Sequence, residues 1–283
     1  MPPVPHQTEP LDVRDPEDPR ISAYRFVRER DLVGRQGQFI AEGEVVLRLL
    51  AADGARRTRH RLESVLLSQV QAARLGDLLA GLPAAVPVYV AAQPVMDAIA
   101  GFPIHRGILA LGRAAPAVEA GALLAGLGPR ALVVAALGLA NHDNMGGLFR
   151  NAAAFGADAV LLDAAACDPL YRKAIRVSVG ASLTVPFARC ADAGAALDLL
   201  AVHGFEVLAL SPAGREHLSA VTRAPRVAAV FGTEGPGLPA GILARARTVA
   251  IPMASGFDSL NVATSSGIVL HHLAQAAGPA VED

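Results

Sequence analysis

Apolar residues fall in two rhythms along the chain: short continuous runs, and longer stretches in which they recur every three or four positions. The first is the signature of buried strands, the second of helices with one face turned inward. In order, the pattern predicts a short strand ending at Phe39–Gly43, a helix Glu44–Ala51, a strand Ser64–Leu67, a helix Gln69–Leu82, a strand Val86–Val90, a helix Gln93–Ala100 and a strand Gly107–Leu111. A second series opens with a buried strand, Ala131–Leu137, and a helix, Met145–Phe155. It continues with a strand Ala159–Leu162, helices Leu170–Val177 and Ala193–His203, and strands Glu206–Leu210, Val227–Phe231 and Thr248–Met253, and ends in a helix from Ser259 to about Ala276. Alternation of this kind predicts an α/β chain whose second sheet is mostly parallel and covered by helices on both faces.

Breaks in the pattern set the expected domains. Residues 1–20 are rich in Pro, Asp and Glu without periodicity, which predicts a disordered tail. Residues 21–113 form a small α/β unit, 114–130 (AAPAVEAGALLAGLGPR) read as an Ala-, Gly- and Pro-rich linker, and 131–283 form the larger domain.

Composition narrows the function classes. Positive charge is carried almost entirely by Arg, with Lys173 the one lysine, yet the net charge is only −1. The chain is therefore no generally basic nucleic-acid coat, and any RNA contact must come from local clusters. The densest is Arg56-Arg57-Thr58-Arg59-His60-Arg61. It reads either as a solvated loop or as a phosphate contact through Arg56, Arg57, Arg59 and Arg61. Cys167 and Cys190 lack ligand spacing and His271-His272 lacks the i, i+4 spacing of a helical metal site, so no metal is expected. No apolar run approaches a membrane span and no basic and hydrophobic leader is present, which predicts a cytoplasmic protein.

Three stretches at strand-to-helix junctions carry the candidate chemistry. The first, Asn141 to Ala152, follows a strand and places Arg150 in an otherwise apolar helix, where a guanidinium needs a carboxylate partner or an anionic ligand. The second, Val230 to Leu238, has three glycines after a strand in the order GxxGxG. That is not the dinucleotide fingerprint GxGxxG, which argues against a nicotinamide-dependent oxidoreductase. Glu234 in its middle would repel a pyrophosphate, and suits a cationic ligand or an Arg such as Arg150. The third, Ile251 to Ala263, ends a strand and starts a helix near Asp258 or Ser259, both good N-caps. Together they supply an Arg, a Glu, a Ser, two Asn and a glycine turn, a set suited to a charged cofactor and an oriented acceptor rather than to covalent catalysis.

In order and spacing these stretches resemble the three motifs of the SpoU (TrmH-type) family of RNA ribose 2′-O-methyltransferases. They correspond to NxxNxGxxxR with a following AxxFG (Asn141 to Gly156), FGxEGxGL (Phe231 to Leu238) and IPM…SLNV (Ile251 to Val262). The N-terminal unit is similar to the family's small substrate-binding domain through FIAEGEVVLRLL and IHRGILALGR. The resemblance implies S-adenosylmethionine as cofactor, a deep trefoil knot in the C-terminal domain, a homodimer packed through that domain, and an RNA substrate, rRNA ahead of tRNA. It implies Gly232, Thr233, Gly237, Ile251, Met253 and Leu260 at the cofactor. It also implies Arg150 at the ribose hydroxyl, with Asn144, Glu234, Ser259 and Asn261 around it. A non-catalytic RNA-binding or ribosome-assembly factor on the same fold is the rival reading, and all five of these polar residues argue against it. Two departures stand out: Asp258 where many relatives carry Glu, and His105-Arg106-Gly107 in place of the more usual HPQG.

Overall fold

The computed structural model describes residues 9–25, 37–52, 58–101, 103–254 and 259–275. The chain gathers into two compact units, residues 1–116 with 170–183, and residues 117–169 with 184–283.

The first unit contains β1 (Leu11–Val13), β2 (Gln38–Glu42), α1 (Glu44–Ala51), β3 (Arg61–Ser68), α2 (Gln69–Arg74), α3 (Gly76–Ala80), β4 (Val88–Ala91), α4 (Gln93–Ala100) and β5 (Ile108–Arg113). Its sheet runs β1-β4-β3-β5-β2. The β1–β4 and β4–β3 pairs are parallel, and β5 pairs antiparallel with both β3 and β2. The uninterrupted Val65-Leu66-Leu67 puts β3 at the centre, where both faces are covered and all three side chains are fully buried.

Three departures have physical causes. Part of the stretch expected as a tail belongs to the fold: β1 pairs with β4, and Val13, Ile21 and Tyr24 are buried against Met96 and Ile99. These few apolar side chains are scattered among Pro and Asp, so no period shows. The single helix expected over Gln69–Leu82 is two, because the chain bends at Leu75, which turns into the core, and Gly76 is a poor helix former. The segment Leu170–Leu183, expected in the larger domain, groups with this unit. Within it Arg172 and Arg176 reach the buried Glu42 carboxylate at 3.5 and 3.6 Å, and the Leu183 carbonyl accepts from the Thr58 hydroxyl at 2.8 Å. A carboxylate this buried requires cationic partners.

The remaining elements are β6 (Val118–Glu119), α5 (Ala120–Ala125), β7 (Ala131–Ala136), α6 (His142–Ala154), β8 (Ala159–Leu162), α7 (Arg172–Val177, in the first unit), β9 (Phe187–Arg189), α8 (Ala193–Val202), β10 (Glu206–Leu210), β11 (Glu216–His217), β12 (Arg226–Phe231), α9 (Ala240–Leu243), β13 (Arg247–Ala250) and α10 (Val262–Gln275). The second unit's sheet runs β11-β13-β10-β12-β7-β8-β9-β6, with every pairing parallel. β7 and β12 lie at its middle, and from Ala131 to Ala136 and Val227 to Val230 no side chain has measurable exposure. Ala and Val at these positions let helices approach closely on both faces.

The linker expected over 114–130 is in part built into this sheet. β6 pairs with β9, a short strand the apolar pattern did not reveal, and Ala120 and Leu124 are buried in the core. The Arg226 guanidinium pins the stretch by donating to the carbonyls of Leu124 and Leu127, both at 3.1 Å, while lying over the Phe205 ring. Among the described residues no helix is long and apolar enough to cross a membrane.

Candidate functional site

Because β10, β12 and β13 are adjacent and parallel, the loops that follow them emerge at one edge of the sheet, where ligands bind in open α/β folds. A cavity of about 350 Å3 opens there. Gly232, Thr233, Gly237, Ile251, Met253 and Leu260, the six residues expected at a cofactor, all line it, together with Glu234 and Ser259. Leu210, Ser211 and Pro212 complete one wall. Sequence reasoning missed these three, and the available signal was the Ser-Pro turn immediately after the β10 strand.

The glycine turn after β12 is closed on itself. Gly237 N–H donates to the Thr233 carbonyl at 3.1 Å, the Thr233 hydroxyl reaches the Gly237 carbonyl at 3.3 Å, and Gly235 and Gly237 hold φ of +86° and +69°. Those left-handed angles suit glycine. A Cβ on Gly232 would lie 2.6 Å from the Gly237 carbonyl carbon, so this position tolerates no side chain. Gly138, just after β7, is similarly constrained: its φ is +69° and a Cβ would meet Thr233 Cγ2 at 2.5 Å.

Three polar residues from the three stretches converge beside the cavity. Asn141 caps α6, its side-chain oxygen accepting from the N–H groups of Asp143 (2.8 Å) and Asn144 (3.3 Å). The capped first turn aims the buried Asn144 side chain at Glu234, to which its amide donates. Asn261 donates to Asn144 Oδ1 at 2.8 Å and to Glu234 Oε1 at 3.3 Å. Asn261 Oδ1 in turn accepts from the N–H groups of Ala263 (2.9 Å) and Thr264 (3.3 Å). The cap of the last helix is therefore Asn261, not Ser259 or Asp258, and α10 starts at Val262. Ser259 is exposed at the cavity, and Asp258 lies outside the described residues. The suggested pairing of Glu234 with Arg150 does not occur: Glu234 is taken by the two carboxamides.

Arg150 stands apart. It is exposed, does not line the cavity, and among the described residues makes no ion pair or hydrogen bond through its side chain. The reason is helical phase. α10 packs on the α6 face defined by Asn144, Gly147 and Asn151, with Ala263 filling the space at Gly147. Asn151 donates to the Ala263 carbonyl at 2.6 Å and to the Ser266 hydroxyl at 2.9 Å. Arg150 sits about 100° around the helix from Asn151. Asn151 and the fully buried Ser266 were missed; the signal for Asn151 was the i, i+3, i+7 spacing from Asn144.

Cys167 has its thiol pushed up to about 11, chiefly by burial and then by Asp168, so it stays protonated at neutral pH and offers no nucleophilic thiolate. Cys190 is a free, buried thiol shifted the same way by burial. Among the described residues no group of three or more His, Cys, Asp or Glu is arranged to hold a metal ion. Of the cluster expected at RNA, Arg56 and Arg57 lie outside the described residues. Arg59 donates to the Pro116 carbonyl at 3.1 Å and Arg61 opens β3 at the surface.

Residues 131–271 match the model of the SpoU rRNA Methylase family. An uncharacterized tRNA/rRNA methyltransferase of Mycobacterium bovis is 39% identical over 271 residues, which span 92% of this chain and 90% of the relative. Among solved structures, an AdoMet-bound rRNA methyltransferase from Sinorhizobium meliloti aligns with a TM-score of 0.77 at 20% identity, over 95% of this chain and 98% of that one. An RNA 2′-O ribose methyltransferase aligns with a TM-score of 0.75 at 24% identity, over 94% and 99% of the two chains. At these identities the likeness establishes the fold.

Proposed function

The chain belongs to the SpoU methylase family, and we propose from that premise that it is an RNA methyltransferase acting on a ribose 2′-hydroxyl, with S-adenosylmethionine as methyl donor. The observation that carries this reading is the cavity at the ends of β10, β12 and β13, walled by the second and third motifs. Its residues fit that cofactor. Among the described residues Glu234 is the one charged side chain in the wall, which suits a cationic ligand and not a pyrophosphate. Leu210, Phe231 and Leu260 offer apolar surface to a base, and the side-chain-free turn at Gly232 to Gly237 leaves backbone available to a ligand. When bound, the cofactor supplies a methyl group on a sulfonium centre.

The chain's own residues provide orientation and charge. Asn144 and Asn261 fix Glu234, so the carboxylate is held rather than mobile. Ser259 is exposed at the cavity, and in this reading it serves the acceptor. A guanidinium is a poor base, and the role of Arg150 is to stabilise the alkoxide that develops on the ribose oxygen. Its position away from the cavity within one chain supports a homodimer in which a second copy completes the site. The exposed Ile268 on α10 and Ala153 and Ala154 on α6 offer an apolar face for that partner. The knot belongs to the same reading. What supports it is that β13 lies beyond β10 in the sheet whereas α10, the helix that follows it in the chain, packs on α6.

The substrate of this reading is structured RNA in the cytoplasm, rRNA ahead of tRNA. Calorimetric titration with S-adenosylmethionine tests the enzyme assignment, and absence of binding would leave the non-catalytic factor standing. Mapping 2′-O-methyl positions in rRNA and tRNA from a deletion strain against its parent tests the rest. A position lost from tRNA alone would move the substrate to tRNA, and a full complement in both would overturn the assignment.

A further inference from the structure

The first unit carries a concentration of positive charge that neither the cavity nor the Arg56–Arg61 stretch accounts for. It is centred on three consecutive residues, Glu42, Gly43 and Glu44, where β2 passes into α1. Glu42 is a buried carboxylate shared by Arg172 and Arg176, at 3.5 and 3.6 Å. Arg176 retains 41% side-chain exposure while doing so. Gly43 has φ of +101°, and a Cβ there would lie 3.0 Å from Arg106 Nη1, so the absent side chain is what lets the Arg106 guanidinium lie across the strand-to-helix turn. Arg106 is exposed, and among the described residues no carboxylate or carbonyl accepts from it. Arg106 is itself set by Gly107, whose φ of +59° and close approach to Ser68 exclude a side chain. Glu44, the next residue, is also outnumbered, pairing with both Arg48 (2.8 Å) and Arg74 (2.5 Å).

Among the described residues charge does not balance at this corner. Arg172 alone would neutralise Glu42, which leaves the charges of Arg176 and Arg106 in surplus, in a chain whose net charge is −1. Donors are in excess as well: each guanidinium brings about five N–H groups, and one carboxylate accepts about four hydrogen bonds. The buried Glu42 holds Arg176, whose side chain stays 41% exposed, and the exposed Arg106 guanidinium lies against the next residue, Gly43. A pair of planar, pre-oriented forks matches the oxygens of a phosphodiester.

We infer that Arg106 and Arg176 form a backbone-phosphate contact for the substrate RNA on the first unit, with the buried Glu42 and its partner Arg172 as the anchor that spaces them. The inference rests on the proposed function, which supplies RNA as the polyanion. It assigns a second patch, separate from the Arg56–Arg61 cluster.

The test measures binding of a structured rRNA fragment to the full-length protein across a salt series. Arg106→Ala removes a guanidinium that makes no hydrogen bond or ion pair among the described residues, and Arg106→Ala with Arg176→Ala leaves Arg172 to neutralise Glu42. Arg14→Ala, at a side chain 90% exposed elsewhere in the unit, is the control for a change of equal charge. For each phosphate-binding guanidinium removed, the slope of log K against log salt should become shallower by about one, with affinity falling several-fold at moderate salt. The control should keep the wild-type slope. S-adenosylmethionine affinity, read by calorimetry, should be unchanged in every variant. A wild-type slope in Arg106→Ala and in the double variant overturns the inference while leaving the proposed function in place. Competition by polyglutamate as effective as by RNA would reassign the patch to an acidic protein and also overturns it. A wild-type protein that binds no RNA overturns the proposed function, and the patch with it.

Discussion

Asn261 joins two jobs that a pair of substitutions can separate. Its side-chain oxygen caps α10, while its amide donates to Asn144 and Glu234. Asn261→Ala removes both. Loss of the cap costs about 1 kcal/mol. Loss of the donor strands Asn144 Oδ1 on a residue only 4% exposed, at about 1–3 kcal/mol. The expected sum is about 2–4 kcal/mol of stability, with weakened cofactor binding because Glu234 is no longer held. Asn261→Asp keeps the cap, since aspartate accepts equally well at a helix N-terminus. It replaces a donor 3.3 Å from Glu234 Oε1 with a second negative charge. Two like charges at about that distance cost about 5 kcal/mol in a partly shielded setting, and about 1–2 kcal/mol once exposure to solvent is allowed for. The pair relieves this by binding a proton, so one carboxyl pKa rises in the folded state. The folded state then holds more protons than the unfolded, and stability falls as pH rises above about 4, the ordinary carboxylate range. The assay is urea unfolding from pH 4 to 8, with calorimetry for the cofactor. An alanine variant within about 0.5 kcal/mol of wild type, or an aspartate variant whose stability tracks wild type at every pH, would refute the reasoning (a threshold of about the size of an ordinary surface substitution).

Three further outcomes are expected. Arg150→Ala should abolish methyl transfer while stability stays within about 0.5 kcal/mol and S-adenosylmethionine affinity is unchanged, because the side chain is exposed and apart from the cavity; wild-type turnover would remove its assigned role. Gly232→Ala forces a Cβ to within 2.6 Å of the facing backbone, and should cost at least about tenfold in cofactor affinity, about 1.4 kcal/mol, with the fold retained by circular dichroism. His60 has its pKa pushed down to about 4, first by burial and then by Arg59, and its Nδ1 accepts from the Ala115 N–H at 3.0 Å. The unfolded chain takes up that proton near pH 6.5, so His60 contributes stability above that pH that is lost progressively toward pH 4, up to about 3 kcal/mol. His60→Gln should flatten the acid limb of the stability profile, as read by urea unfolding at each pH.

The chain shows how far a one-dimensional pattern reaches. Continuous apolar runs located β7, β8 and β12 to within a residue, because strands buried on both faces leave few polar positions to blur their ends. The glycines and polar residues of the three stretches identified the cavity wall, since their spacing within each loop is local. Other features needed the folded chain. β9 is three residues long, and β6 two, below the length at which a period can be seen. The order of the eight strands, and so the meeting of Asn144, Glu234 and Asn261 from positions far apart, depends on which strands pair. That Asn261, not Ser259, caps the last helix was decided by where α10 packs on α6. The grouping of Arg172 and Arg176 with Glu42, 130 residues away along the chain for the first pair, is the clearest case. A charge in a sequence carries its sign with it, but its partner is chosen by burial, and burial belongs to the fold.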